Sequence, residues 1–127
     1  MDFLRSRSSL TLAWTLLGLS LTGLALSMAL TPNGDWMKWH LSRLGEGGSF
    51  AAAVFNTTLI VSAIVLIIMA YRLARELEVF HNNHTVGLRT LFVSMALCWV
   101  GIAFFPFDKF PVIHNIFGYG MFIIMCV

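Results

Sequence analysis

Charge is what this chain has least of. Only 11% of its 127 residues are charged, eight Lys or Arg against six Asp or Glu, whereas an ordinary soluble domain carries about 25%. A net charge of +2 is too small for the basic surface that nucleic-acid binding demands, so no nucleic-acid partner is expected. Proline is scarce as well. Pro32, Pro106 and Pro111 lie between or at the ends of apolar runs, so no proline breaks a long helix from within. The two cysteines, Cys98 and Cys126, both fall inside apolar runs. They offer no disulfide framework and read as small buried hydrophobes. Compact metal signatures such as a His-Glu-x-x-His helix are missing, and the sequence implies no metal and no cofactor. Internal repeats and low-complexity segments are missing too.

What the chain has in quantity is hydrocarbon, with 58% of its residues hydrophobic. A soluble core of this size could not hide that much apolar surface, so lipid must cover much of it. Four apolar runs stand out: Leu10 to Leu30, Phe50 to Tyr71, Leu91 to Phe107 and Ile113 to Val127. A bilayer core takes about 20 helical residues to span. The first two runs meet that length, and the third does so with Gly87 to Thr90 leading into it. The runs are continuous, not the ~10-residue alternating segments of a transmembrane barrel. The expected fold is all-α, a polytopic transmembrane bundle forming a single domain over 1–127. Its helices are expected at about 10–30, 50–71, 88–107 and 113–127. The fourth run stops at Met125-Cys126-Val127 with no charge or turn to close it, which reads as the early part of a longer bundle. Residues 1–30 look like a signal peptide in their basic start and in Ser27-Met28-Ala29. Their apolar core of about 20 residues exceeds the 7 to 15 of a signal sequence, so an uncleaved first helix is preferred.

Orientation follows from where the few cations sit. Arg5 and Arg7 precede the first run, and Arg72, Arg75 and Arg89 lie between the second and third; Lys38, Arg43 and Lys109 occupy the other two connections. Five against three places the N-terminus and the middle link in the cytoplasm, and the chain in the cell membrane. In the middle link Leu73, Leu77 and Phe80 recur at helical spacing, so helix 2 is expected to continue about two turns past the bilayer. His81 and His84 follow in a loop that reads as solvated. In the first run the pairs 18/22, 23/27 and 25/29 have the small-xxx-small spacing that brings helix backbones together. Packing inside the bundle is the preferred use of them, with self-association as a weaker one.

Polar groups are costly in lipid, and they collect at the outer end. The 31–49 loop carries Asp35, Lys38, His40, Ser42, Arg43 and Glu46; Asn56, Thr57 and Thr58 follow in helix 2; Asp108 and Lys109 form the turn before His114 and Asn115. With helices 2, 3 and 4 adjacent, Asn56, Asp108 and His114 are expected to converge. Structural uses compete with functional ones. Trp36 and Trp39 read as interfacial anchors, Asp108 as a solvated turn residue, a helix cap or a partner for Arg43, and Asn56 as a buried amide bonded across the bundle. The ligand-binding set proposed from sequence is Ser42, Arg43 (as an anion contact), Asn56, Asp108 and His114. Membrane lipids are the expected partners, with other membrane subunits or a second copy as further options. The alternative is a membrane-embedded hydrolase using His114 with Asp108 and Ser42. A transporter comes third, since only Asn56 or Ser62 approaches mid-depth.

The stretch His40-Leu41-Ser42-Arg43-Leu44-Gly45-Glu46-Gly47-Gly48, followed by Phe55-Asn56, resembles the DUF998 family of bacterial and archaeal membrane proteins, in which a Ser-x-x-Gly loop precedes a Phe-Asn pair. Gly101-Ile102-Ala103-Phe104-Phe105-Pro106-Phe107-Asp108 and then His114 resemble its Gly-x-x-x-x-Pro-x-Asp…His turn. The Frag1/DRAM/Sfk1 group of eukaryotic membrane proteins is a more distant likeness. The resemblance covers about residues 10 to 127. It implies a bundle of about six transmembrane helices and no established activity. It also implies an acidic residue after the Ser, where this chain has Arg43.

Overall fold

A computed structural model describes residues 2–38, 41–78 and 85–126, with backbone alone for 2–8 and 33–35. Trp39, His40, Phe80, the His81/His84 pair and Val127 therefore lie outside the described residues. Within them the architecture is all-α. Helix α1 spans Asp2–Leu30, α2 Phe50–Glu78, α3 Thr85–Phe104 and α4 Pro111–Met125, with two short 3-10 turns, Pro32–Lys38 and Leu41–Gly45, between α1 and α2. Ser9–Leu30, Phe50–Glu78 and Thr85–Phe104 are long and apolar enough to cross a membrane, and Pro111–Met125 is a shorter apolar helix.

Helix ends move from their expected places for local reasons. Helix α1 begins at Asp2, well before the apolar run, because nothing in Arg5-Ser6-Arg7-Ser8 breaks a helix. It stops before Pro32, and Thr31 hydroxyl donates to the Ser27 carbonyl at 2.9 Å. Helix α2 begins where Ser49 caps it: the Ala52 amide donates to Ser49 Oγ at 3.1 Å. The chain reaches that cap through Gly47 (φ 77°) and Gly48 (φ 63°), left-handed positions that glycine takes without strain. The expected extension past Tyr71 is present, and α2 runs on to Glu78. Helix α3 ends earlier than the apolar run because Pro106 cannot continue it. Pro111 then opens α4 at its first position, where a missing N–H is tolerated.

Helix α2 packs against both α1 and α3, and α4 packs against α3. The α1–α2 seam runs along Ser20, Gly23 and Ser27. Ser20 and Ser62 hydroxyls are hydrogen-bonded at 3.1 Å, Gly23 faces the Thr58 side chain directly, and Ser27 donates to the Ala51 carbonyl at 2.9 Å. Of the three small-residue pairs in α1, only 23/27 is buried on both members. Gly18, Ala25 and Ala29 are exposed, as is Thr22. Farther along, Ala63, Leu66 and Ala96 form a buried knot with Leu16, Phe92, Met95 and Trp99 packed around it. Between α3 and α4 the contact is aromatic on glycine. The Phe117 ring lies directly against Gly101 and stacks on Phe105 at 6.0 Å between centroids.

Gly23 and Gly18 make a paired test of the seam. A side chain at Gly23 would run into Thr58, while Gly18 has nothing within 4 Å. Gly23→Leu should destabilise the protein by about 1–3 kcal/mol through overpacking, visible as a clearly lower midpoint of thermal unfolding in detergent. Gly18→Leu should leave it unchanged, and equal effects at the two positions would remove the seam.

Candidate functional site

The five residues named from sequence sit at the end of the bundle where the 31–49 loop and the α3–α4 turn lie. Four of them divide between two cavities, and Arg43 lines neither. A cavity of about 600 Å³ runs between α1 and α4 over a floor of α2 and α3. Ser42 and His114 line it together, with Thr58 and Asn115, and its walls are mainly Leu24, Phe55, Leu59, Met95, Trp99 and Met125. A second cavity of about 350 Å³ holds Asn56 and Asp108, bounded by Gly45, Gly47, Gly48, Ser49 and Lys109. Asn56, Asp108 and His114 thus share an end of the molecule without sharing a pocket.

Each position has a local cause. Asn56 stands on the second turn of α2, beneath the 3-10 turn Leu41–Gly45, and its Nδ2 donates to the Gly45 carbonyl at 3.1 Å. Gly45 is buried and so close that an added Cβ would lie 2.5 Å from Asn56 Oδ1 and 3.1 Å from the Phe55 ring. That contact explains why a Gly in the loop goes with a Phe-Asn pair in the helix. Arg43 is half-exposed and pairs with Glu46 at 3.6 Å, a contact of small energetic weight at such exposure. Asp108 is exposed in the turn. It does not cap α4, whose N-cap is Phe110 with no side-chain bond.

His114 is the most constrained of the set, being 4% exposed. Its Nδ1 lies 2.8 Å from the Phe105 carbonyl. A carbonyl only accepts, so Nδ1 carries the proton and donates. The bond ties the open C-terminal end of α3 to the first turn of α4, and Phe107 packs edge-on against the imidazole at 5.8 Å. In the neutral ring Nε2 is then an acceptor, and it belongs to a side chain that lines the larger cavity. Groups of three or more His, Cys, Asp or Glu able to hold a metal are absent among the described residues.

The larger cavity also draws on Trp99, Met121 and Ser20, which the sequence did not single out, and on Ser62, noted there only for its depth. Trp99 Nε1 donates to the Met121 sulfur at 3.2 Å, bracing the α3 and α4 walls. Ser20 and Ser62 lie on the wall opposite and satisfy each other. Serines inside apolar runs were the available signal, although nothing in their spacing told which faced a cavity.

Asn56→Ala should loosen the loop without unfolding the bundle. Loss of a part-buried bond of this kind costs about 1–3 kcal/mol. Amide hydrogen exchange at 41–48 should quicken by about fivefold or more while α3 keeps its protection. Unchanged exchange at Leu44 and Gly45 would show that the amide does not hold the loop.

Comparison with known protein families bears on nearly the whole arrangement just described. Residues 15–127 match a family model described as "Protein of unknown function (DUF998)", while no curated protein and no solved structure matches the chain. The matched span contains the Gly45–Asn56 contact, both cavities and the His114 tie. The chain belongs to the DUF998 family.

Proposed function

We propose that this multi-pass membrane protein holds an amphipathic lipid in the groove between α1 and α4. The headgroup end sits at Ser42, His114 and Asn115, and the tail runs along Leu59, Met95, Trp99 and Met125. The observation that carries this reading is the groove's composition: about 600 Å³, within the range of ligand pockets, with Ser42, His114 and Asn115 at the loop end and a mainly hydrocarbon lining beyond, where Ser20 and Ser62 are bonded to each other. From His114 to Met125 the α4 wall extends about 16 Å at 1.5 Å per residue, enough to accompany much of an acyl chain. The same reading puts the chain in the cell membrane with its N-terminus cytoplasmic, on the distribution of arginines, so that the headgroup lies in the outer leaflet.

A second reading keeps support from one detail. Ser42 and His114 line one cavity, and the Nδ1–H of His114 is already committed to Phe105. That leaves Nε2 to take a proton from a hydroxyl, as a serine nucleophile requires. The orienting group would be a backbone carbonyl, because Asp108 lines the other cavity. Lipid binding is preferred because it needs no carboxylate at His114.

Gly118 lines the groove, and nothing lies within 4 Å of a Cβ placed there. Gly118→Trp should therefore fill the groove without disturbing the core. Native mass spectrometry of protein purified from membranes in mild detergent should show a retained lipid in the wild type and at least a tenfold lower fraction in Gly118→Trp, at equal thermal stability. Gly87→Trp, at an open position on α3, should retain lipid normally. Equal retention in all three would sink the proposal. Ester turnover abolished by Ser42→Ala but not by Gly87→Trp would establish the second reading instead.

A further inference from the structure

At the opposite end of the bundle the chain gathers most of its cations. Arg72 and Arg75 lie one turn apart on α2 and, with Ile67, Ile68 and Tyr71, line a cavity of about 280 Å³. Arg89 reaches across from α3 and places its guanidinium 5.4 Å from the centre of the Tyr71 ring. That cation–π contact holds a third positive charge beside the same cavity. Helix α1 begins at this end too, running antiparallel to α2, and carries Arg5 and Arg7 in its first turns. The acidic groups at this end are Glu76, next to Arg75 and one turn beyond Arg72, Glu78 one turn beyond Arg75, and Asp2 at the start of α1, so the cations outnumber them five to three.

Depth sorts these residues. Helix α2 has 29 residues and so is about 43 Å long, against a hydrocarbon core of about 30 Å. With its Ser49 cap at one interface, hydrocarbon is used up near Ala70. Ile67 and Ile68 then lie at acyl-chain depth, Tyr71 at the interface where aromatic rings settle, and Arg72 and Arg75 at phosphate level. Glu76 shares the depth of Arg75, and Glu78 stands farther out and is exposed. Arginine forks suit phosphate oxygens better than lysine does.

We infer that Arg72, Arg75 and Arg89, with Tyr71, form a binding site for the headgroup of an anionic phospholipid, separate from the groove and independent of what occupies it. The isoleucine floor selects a lipid over a soluble phosphate, because a free anion gains nothing from hydrocarbon, whereas the first methylenes of an acyl chain bury against it. The site faces the cytoplasmic leaflet in the orientation proposed above, the leaflet whose anionic lipids attract basic segments.

The test uses the full chain in detergent micelles doped with equal amounts of phosphatidylglycerol and phosphatidylcholine, where orientation in a bilayer plays no part. Native mass spectrometry reads the ratio of the two lipids retained. Wild type should favour phosphatidylglycerol. Each arginine removed should lower that preference about fivefold, so Arg72→Gln/Arg75→Gln should nearly abolish it and Arg89→Gln should reduce it in part. Lys38→Gln/Lys109→Gln, at the other end, should keep it whole, and Gly118→Trp should also leave it intact. Retained preference in the double arginine variant, or an equal loss in the lysine variant, would overturn the site. Displacement of phosphatidylglycerol by millimolar inorganic phosphate would overturn the lipid specificity.

Discussion

Everything in this bundle depends on how closely α1 can approach α2. Lipid tails are as apolar as leucine, so no hydrophobic drive pulls two helices together in a membrane, and association has to come from tight packing and interhelical hydrogen bonds. Gly23 against Thr58 supplies the packing, and Ser27 to Ala51 and Ser20 to Ser62 supply the bonds. With α1 seated this way its exposed face is left to lipid, and its Ser20 and Leu24 become one bank of the groove. The same device, reversed, sets the other bank. Gly101 admits the Phe117 ring, which draws α4 onto α3 and leaves α1 and α4 as separate walls with space between.

The loop end shows polar chemistry used for fastening. Asn56 pins the loop to α2, and His114 pins α4 to the end of α3. Both bonds go from a side chain to a backbone carbonyl that a helix end or a non-helical turn leaves open. A histidine fixed in this way has one nitrogen spoken for and the other available. Its structural and functional roles are therefore compatible, each using a different atom of the ring.

Much of this was legible in the sequence, for identifiable reasons. Helix number and type followed from apolar runs too long and too continuous to be anything else. The extension of α2 followed from Leu73 and Leu77 at helical spacing, and the family from the 40–48 loop, Phe55-Asn56 and the Pro106–His114 turn. Helix ends were less legible, because Pro106 stops α3 before the apolar run is over and Arg5-Ser6-Arg7 lets α1 start in a charged stretch. The division of the site was not legible at all. Asp108 and His114 are six residues apart, and only the geometry of the intervening turn decides that one faces the solvent side and the other the groove. The three small-residue pairs of α1 looked alike in sequence, and the partner helix alone selects 23/27.

The length of α2 has a mechanical consequence. No proline interrupts it between the Ser49 cap and Glu78, so it behaves as a single strut. One end carries the loop fastened by Asn56 and the other carries Tyr71, Arg72 and Arg75. For a rod of about 43 Å, a ten-degree tilt about its midpoint displaces each end by about 4 Å in opposite directions. Under the proposed placement in the membrane, a ligand that tilted one end of this lever would therefore move the other end in the opposite leaflet.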